Sequence, residues 1–440
     1  MNSERPNILT AQLSGRAVYR RIARSVFARQ VGTTIVGQAL TLLLLLATNA
    51  MTARWLGPTG KGQFVLAMLV PGMLSMFLSF GISAANVYFT GFERLPIAVL
   101  SANSVAFSLL GTVLGGVVLL FMVASSLIST IVPGVAVRFV ALAMLALPLG
   151  LLGTNFSSIL LGLRRISTLS GLRVFQAAVL IPLLLIFVKW SALGVSGAII
   201  ASVAASICFV VATAAYLRRE GASFAPRFDR PVAKSTLDYG LRGYVGNLLQ
   251  FFNYRLDSFL VNSFIGSAGV GIYSAAIVLA ELLWQLPNSV GLVILPKAAN
   301  SDAKEMNRFT PRVFWAVLLI SALAAAAMGV AGKLIIRAVF SDRFLDAYRP
   351  LLALLPGVVL LGAGKVLTND MAGRGYPHYN SIVAGIALLV TLGLDLALIP
   401  RMGVLGAALA STVAYSSTFL LSLVLYMSVR RRPIIDVVHP

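Results

Sequence analysis

The chain has 440 residues, 58% of them in the set AVILMFWYC and 11% charged, with a mean hydropathy of +0.91. An average soluble domain carries about a quarter charged residues, so a soluble globular fold is excluded. The formal charge of +21, from 35 Lys and Arg against 14 Asp and Glu, fits basic loops beside anionic lipid and no nucleic acid. One cysteine, Cys208, and two distant histidines, His378 and His439, leave no disulfide, no metal-ligand cluster and no cofactor site.

Apolar stretches long enough to cross a hydrocarbon core of about 30 Å recur along the chain. They are too long and too uniformly apolar for barrel strands, so the expectation is an all-α polytopic membrane protein. Residues 1–30 read as a cytoplasmic tail carrying Arg5, Arg16, Arg20, Arg21, Arg24 and Arg29, leading into a retained first helix. Predicted spans are 31–53, 63–89, 96–124, 137–161, 167–188 and 192–217, the N-terminal six-helix lobe (31–217). A charged, Pro-containing linker (218–239) follows. Spans 240–262, 269–296, 312–340, 350–372, 379–400 and 403–428 then form the C-terminal lobe (240–428), before a cytoplasmic tail (429–440). The end of 312–340, with Lys333 and Arg337, suits the membrane interface. With the N-terminus inside, the cytoplasmic segments hold 22 Lys and Arg, Arg374 among them, and the opposite side 9, Lys61 among them. That bias places both termini in the cytoplasm.

The chain repeats itself. Trp55-Leu-Gly-Pro-Thr-Gly-Lys-Gly-Gln-Phe64 aligns with Phe264-Ile-Gly-Ser-Ala-Gly-Val-Gly-Ile-Tyr273, with three glycine pairs 209 residues apart. The same offset relates Gly194-Val-Ser-Gly-Ala198 to Gly403-Val-Leu-Gly-Ala407. About 12 helices in two six-helix lobes related by a parallel repeat, facing a central cavity, are predicted.

Polar side chains inside spans are costly unless they face a cavity or a partner. At helical spacing, Thr34, Gln38, Thr41, Thr48 and Thr52 share a stripe on the first helix, and Ser75, Ser79, Ser83 and Asn86 on the second. Arg242, Gln250, Asn253 and Asp257 do so on the seventh, and Ser274, Glu281, Gln285 and Asn288 on the eighth. Helices 1, 2, 7 and 8 are therefore expected to line the cavity. Ser and Thr can equally bond their own helix, and Arg242 and Arg173 lie where they can snorkel. Arg255 points away from the stripe and suits an interhelical pair, whereas Lys365 lies deep in its helix. Candidate substrate contacts are Arg242, Arg255, Lys365, Gln38, Asn253, Gln250 and Asn86. Asp257 and Glu281 are candidates for ion coupling or for holding the cations. Asp370 and Asp395 sit near helix ends, where solvation accounts for them. A cationic cavity suits an anionic head group such as a pyrophosphate. The Gly57–Gly62 loop and the Gly332-Lys333 and Gly364-Lys365 pairs lack the spacing of a phosphate loop. No Ser/His/Asp set and no catalytic loop is visible, so the chain is not expected to be an enzyme.

The segments Tyr254-Arg-Leu-Asp257, Phe264–Ala276, Glu281-Leu-Leu-Trp-Gln-Leu-Pro287, Arg54–Phe64, Met371-Ala-Gly-Arg-Gly375 and Ile399–Ala410 resemble the bacterial polysaccharide transporter family of O-antigen and exopolysaccharide flippases. That family belongs to a superfamily with lipid II flippases and multidrug and toxin extrusion antiporters. The resemblance implies a flippase that moves an undecaprenyl-pyrophosphate-linked oligosaccharide across the bacterial inner membrane by alternating access. It implies the lipid-linked glycan and membrane lipids as partners, with H⁺ or Na⁺ and glycan polymerase or assembly proteins as further candidates. The alternative is an ion-coupled multidrug exporter of the same superfamily.

Overall fold

The computed structural model describes residues 8–430, with side-chain detail from Val36 onward, and every regular element among them is helical. In the first lobe these are α1 (Ile8–Leu78), α2 (Ile82–Gly91), α3 (Ile97–Ala124), α4 (Leu127–Ile131), α5 (Val137–Ala143), α6 (Ala146–Gly162), α7 (Ile166–Leu184) and α8 (Gly194–Arg219). The second lobe contains α9 (Arg230–Ile265), α10 (Ser267–Leu282), α11 (Gln285–Asn300), α12 (Ala303–Val339), α13 (Tyr348–Gly373), α14 (His378–Met402) and α15 (Val404–Val429). The expected tails lie outside the described residues at 1–7 and 431–440, and α1 is helical from Ile8.

Among the described residues, nine helical segments are long and apolar enough to cross a membrane, ten with the bent α10–α11 pair. Two more crossings follow. α9 crosses although it carries Arg242, Arg255 and Asp257. The apolar segment Val36–Leu78 holds 43 residues, roughly twice what one crossing needs. It folds back at Gly57, whose φ of 68° and ψ of −179° only glycine adopts readily. Lys61 Nζ lies 2.8 Å from both Asn49 Oδ1 and Thr52 Oγ1. In a straight helix, residues 49 and 61 would stand roughly 18 Å apart.

Backbone geometry supports the repeat independently of residue identity. Gly266 (φ 92°, ψ 178°) reproduces the Gly57 conformation one offset later, and Gly194 and Gly403 have φ of 55° and 62°. The second crossing of each lobe is also broken, between Leu78 and Ile82 and between Leu282 and Gln285, so the predicted spans 63–89 and 269–296 are each two helices.

The lobes meet across the pseudo-twofold axis at the end that carries the two glycine bends. A methyl group on Gly62 would fall 1.7 Å from the Ser267 carbonyl oxygen, and one on Gly271 would fall 2.0 Å from that of Pro58. Each contact is the other shifted by one offset. Small residues allow such backbone approach between lipid-embedded helices. Two further ties cross this end: Asn262 donates to the Pro133 carbonyl at 3.0 Å, and Arg54 donates to the Ala338 and Val339 carbonyls at the end of α12. The largest apolar core spans both lobes here, with Leu66, Val70 and Leu147 joined to Val270, Leu279, Phe340 and Leu354.

Toward the end that carries the linker, the core divides. One cluster centres on Phe156 and Leu160 in the first lobe, and another on Ile294, Phe314 and Val366 in the second. One flank remains closed, where Tyr88 stacks on Tyr239 at 4.5 Å and the Tyr244 hydroxyl donates to the Met76 and Phe77 carbonyls. On the repeat-related flank, Val36, Gln38 and Leu40 of α1 and Leu286 and Val293 of α11 are exposed. The molecule is thus closed at the bend end and open on one side at the linker end.

Candidate functional site

Each lobe holds a cavity. That of the first lobe is about 890 Å³ and is lined by Thr41, Ser75, Ser157, Arg173 and Gln176 among many small and apolar side chains. That of the second is about 510 Å³ and lies between α9, α11, α13, α14 and α15. In place of the single central cavity expected, each lobe has its own: predicted spans 1 and 2 contribute to the first and spans 7 and 8 to the second, but α6, α7 and α8 complete the first and α13, α14 and α15 the second.

Lys365 is the one ionisable cation on the wall of the second cavity among the described residues. Its Nζ donates to Asn288 Oδ1 at 2.9 Å and sits 4.7 Å from the centre of the Trp284 ring. Trp284 in turn packs with Tyr254 and Tyr415, at ring separations of 5.2 and 5.8 Å. Glu281 lies within electrostatic reach of Lys365 but not at ion-pair distance, so the cation over the aromatic face remains available to an anion. The carboxamides of Asn247, Gln250, Asn253, Asn288, Asn369 and Asn380 surround it.

Beneath this floor lies a small void of about 10 Å³, bounded by Asp257, Tyr273, Glu281 and Tyr415, about the room of one water. Asp257 is 1% exposed and accepts from the Tyr273 hydroxyl at 2.6 Å and the Ser258 amide at 2.7 Å. The Ser411 hydroxyl joins the cluster, 3.1 Å from Tyr273 Oη. Asp395 on α14 is fully buried within electrostatic reach of Asp257, and neither of its carboxylate oxygens has a hydrogen-bond partner among the described residues.

The other candidates separate cleanly. Gln250 lines the second cavity, as does Asn253, whose Oδ1 accepts from Thr391 at 2.7 Å. Arg255 pairs with Glu281 at 3.5 Å, so the two neutralise each other between α9 and α10. Arg242 is exposed near the linker end of α9 and borders neither cavity. Gln38 faces the open flank of α1. Asn86 is buried inside the first lobe, donating to Ser104 Oγ at 2.9 Å.

Four expectations are corrected. Asp395 and Asp370 are not solvated helix-end residues: both are fully buried. Arg374 is not a loop cation, because its guanidinium lies buried 3.1 Å from Asp370 one helical turn back and also donates to Asn307 Oδ1. Lys61, counted with the loops, is buried in the α1 hairpin on neutral partners. The physical reason is shared: a single sequence shows distance from a helix end, but not which neighbouring helix covers it. The residues missed altogether include Thr391, Ser411, Asn247 of α9 and the amides of α13 and α14. A Thr391/Asp395 pair one turn apart on α14 was the readable signal.

The profile of a family described as polysaccharide biosynthesis proteins matches residues 51–349. A Shigella flexneri protein that carries the name of an O-antigen transporter is 22% identical over 389 residues, covering 86% of this chain and 92% of its own. Among solved structures, the lipid II flippase MurJ in an inward closed conformation superposes with a TM-score of 0.74 at 18% identity, over 92% of this chain and 88% of its own. An inward-facing multidrug resistance MATE transporter gives 0.69 at 16% identity, over 90% and 99%. Both share the fold. The chain belongs to the polysaccharide biosynthesis protein family and shares the two-lobe helical fold of those two transporters.

Proposed function

We propose that the chain is a flippase that carries a lipid-linked oligosaccharide from the cytoplasmic to the outer leaflet, with the second-lobe cavity receiving the sugar-pyrophosphate head group. One observation carries this reading. Lys365 has no carboxylate within ion-pair distance among the described residues and stands in a polar cavity of about 510 Å³ within the membrane, surrounded by carboxamides, in a member of a polysaccharide biosynthesis family. A pyrophosphate supplies the missing negative charge.

The linker end is cytoplasmic on the Lys and Arg distribution. The head group enters there, and the exposed flank between α1 and α11 lets the prenyl chain remain in lipid. Release requires the reciprocal contacts of Gly62 with Ser267 and Gly271 with Pro58 to part while the linker end closes. Asp257 and Asp395 are two carboxyl groups buried near each other with no Lys or Arg within ion-pair distance among the described residues, so both cannot be ionised there without a bound cation. An H⁺ or Na⁺ taken up there offsets the charge, and its gain or loss biases the two states. The drug-exporter alternative calls for acidic cavity walls, whereas Lys365 is the only ionisable group on the described wall of the second cavity except the Tyr254 phenol.

A photoreactive short-chain polyprenyl-pyrophosphate sugar should label peptides of α9 and α13, and unlabelled carrier should protect them. Labelling confined to other helices, or unchanged in Lys365→Ala, would sink the site assignment.

A further inference from the structure

The carboxamides of the second cavity form an asymmetric set that an anchor for phosphate does not require. At the offset of 209, Asn247, Gln250, Asn253, Asn288, Asn369 and Asn380 correspond to Gln38, Thr41, Leu44, Ser79, Leu160 and Gly171. Five of six amides are thus confined to one lobe. The duplicated lobes each kept a cavity, while its size and chemistry diverged.

The hydrogen-bonding valences that remain open are mixed. Asn369 Nδ2 donates to the Lys365 carbonyl at 2.7 Å, leaving its oxygen to accept. Gln250 Nε2 donates to the Tyr254 hydroxyl at 3.2 Å, again leaving its oxygen, and Asn380 Oδ1 is buried without a partner among the described residues. Conversely, Asn288 and Asn253 accept through their oxygens, from Lys365 and Thr391, leaving amide hydrogens to donate. A ligand must therefore both give and take hydrogen bonds. Hydroxyl and acetamido groups do so; a carboxylate only accepts. A second anion would also find no second cation, since Arg255 is held by Glu281.

We infer that the second-lobe cavity is a subsite for uncharged, hydroxyl- or acetamido-bearing sugar residues beside the pyrophosphate, and that it rejects an acidic sugar at that position. This rests on the flippase reading and adds a rule of selection to it. A site built of hydrogen-bonding groups rejects a ligand that leaves them unpaired more strongly than an apolar pocket rejects a wrong shape.

The test uses vesicles containing only the full chain and four carriers with one polyprenyl pyrophosphate: bare, or bearing N-acetylglucosamine, glucose or glucuronic acid. The expected result is transfer of both neutral sugars, with the glucuronyl carrier about tenfold slower or worse. Asn369→Lys should raise the glucuronyl rate and lower the neutral ones, and Asn247→Leu should slow sugar carriers while sparing the bare pyrophosphate. Equal rates for glucuronyl and neutral carriers overturn the subsite and leave the flippase intact. So does an Asn247→Leu effect as large on the bare carrier as on the sugars. If no carrier moves, bare or glycosylated, the flippase reading fails and the subsite falls with it.

Discussion

Replacing Gly271 by alanine puts a methyl group where the Pro58 carbonyl already stands. The new carbon would lie 2.0 Å from the oxygen, 2.8 Å from the carbonyl carbon and 3.1 Å from Cα, against an ordinary contact of at least 3.4 Å. These are backbone atoms at a helix start, so no rotamer change relieves the clash. Only separation of the two helices does, by roughly 1.4 Å at this point. Overpacking of this kind costs about 1–3 kcal/mol. The cost falls only on the state in which the bend end is closed, so the balance shifts toward the opposite opening by about 5- to 150-fold. Gly62→Ala, its repeat mate, should do the same. A Cys208→Ser protein carrying Thr154→Cys in the first cavity provides the assay, with a membrane-impermeant maleimide applied from the bend side. Labelling should be low in the parent, strongly raised in both alanine variants, and unchanged in Gly72→Ala, where an added methyl meets nothing within 4 Å. Unchanged labelling in Gly271→Ala, with folding intact, would refute the assignment of this contact as the closed gate.

Removing one partner of the buried Asp370–Arg374 pair leaves an uncompensated charge, so Arg374→Met should cost about 3–5 kcal/mol in thermal unfolding of the detergent-solubilised protein. Asp370→Leu combined with Arg374→Met should recover most of that loss, and a double variant no better than the single would argue against the pair. Asp257→Asn and Asp395→Asn should each blunt the response of transport to imposed H⁺ and Na⁺ gradients while leaving head-group labelling in place. An unaltered gradient response in both would remove ion coupling from this cluster. Arg255→Gln should weaken the protein more than Arg255→Gln with Glu281→Gln, with a coupling of about 1 kcal/mol for this half-exposed pair.

What the sequence revealed, it revealed through periodicity. Crossings and the repeat were legible because 18-residue apolar runs and glycines at a fixed offset carry physical necessity along the chain. The repeated Gly57/Gly266 geometry is that necessity seen in the backbone. Lys365, Gln250 and Asn253 were legible for a related reason: a polar group deep in a span must face something polar. Depth alone misled elsewhere. Asp395 sits about two turns from the bend-end terminus of α14 yet is covered by neighbouring helices, and Arg374 follows the last turn of α13 yet is sealed by Asn307 of α12. Those facts belong to pairs of helices far apart in sequence. Asn86 made the opposite error, since a position on a polar stripe cannot distinguish a cavity wall from a Ser104 partner.

The most direct measurement is leaflet translocation of a polyprenyl-pyrophosphate oligosaccharide in vesicles containing only this protein, with wild type and Lys365→Ala at matched insertion. The account predicts transfer by wild type and a loss of about tenfold or more in Lys365→Ala, as a desolvated charge contact to phosphate is removed. Transfer that is equally fast in both would contradict the Lys365 site, and no transfer by wild type across several neutral glycans would contradict the flippase itself.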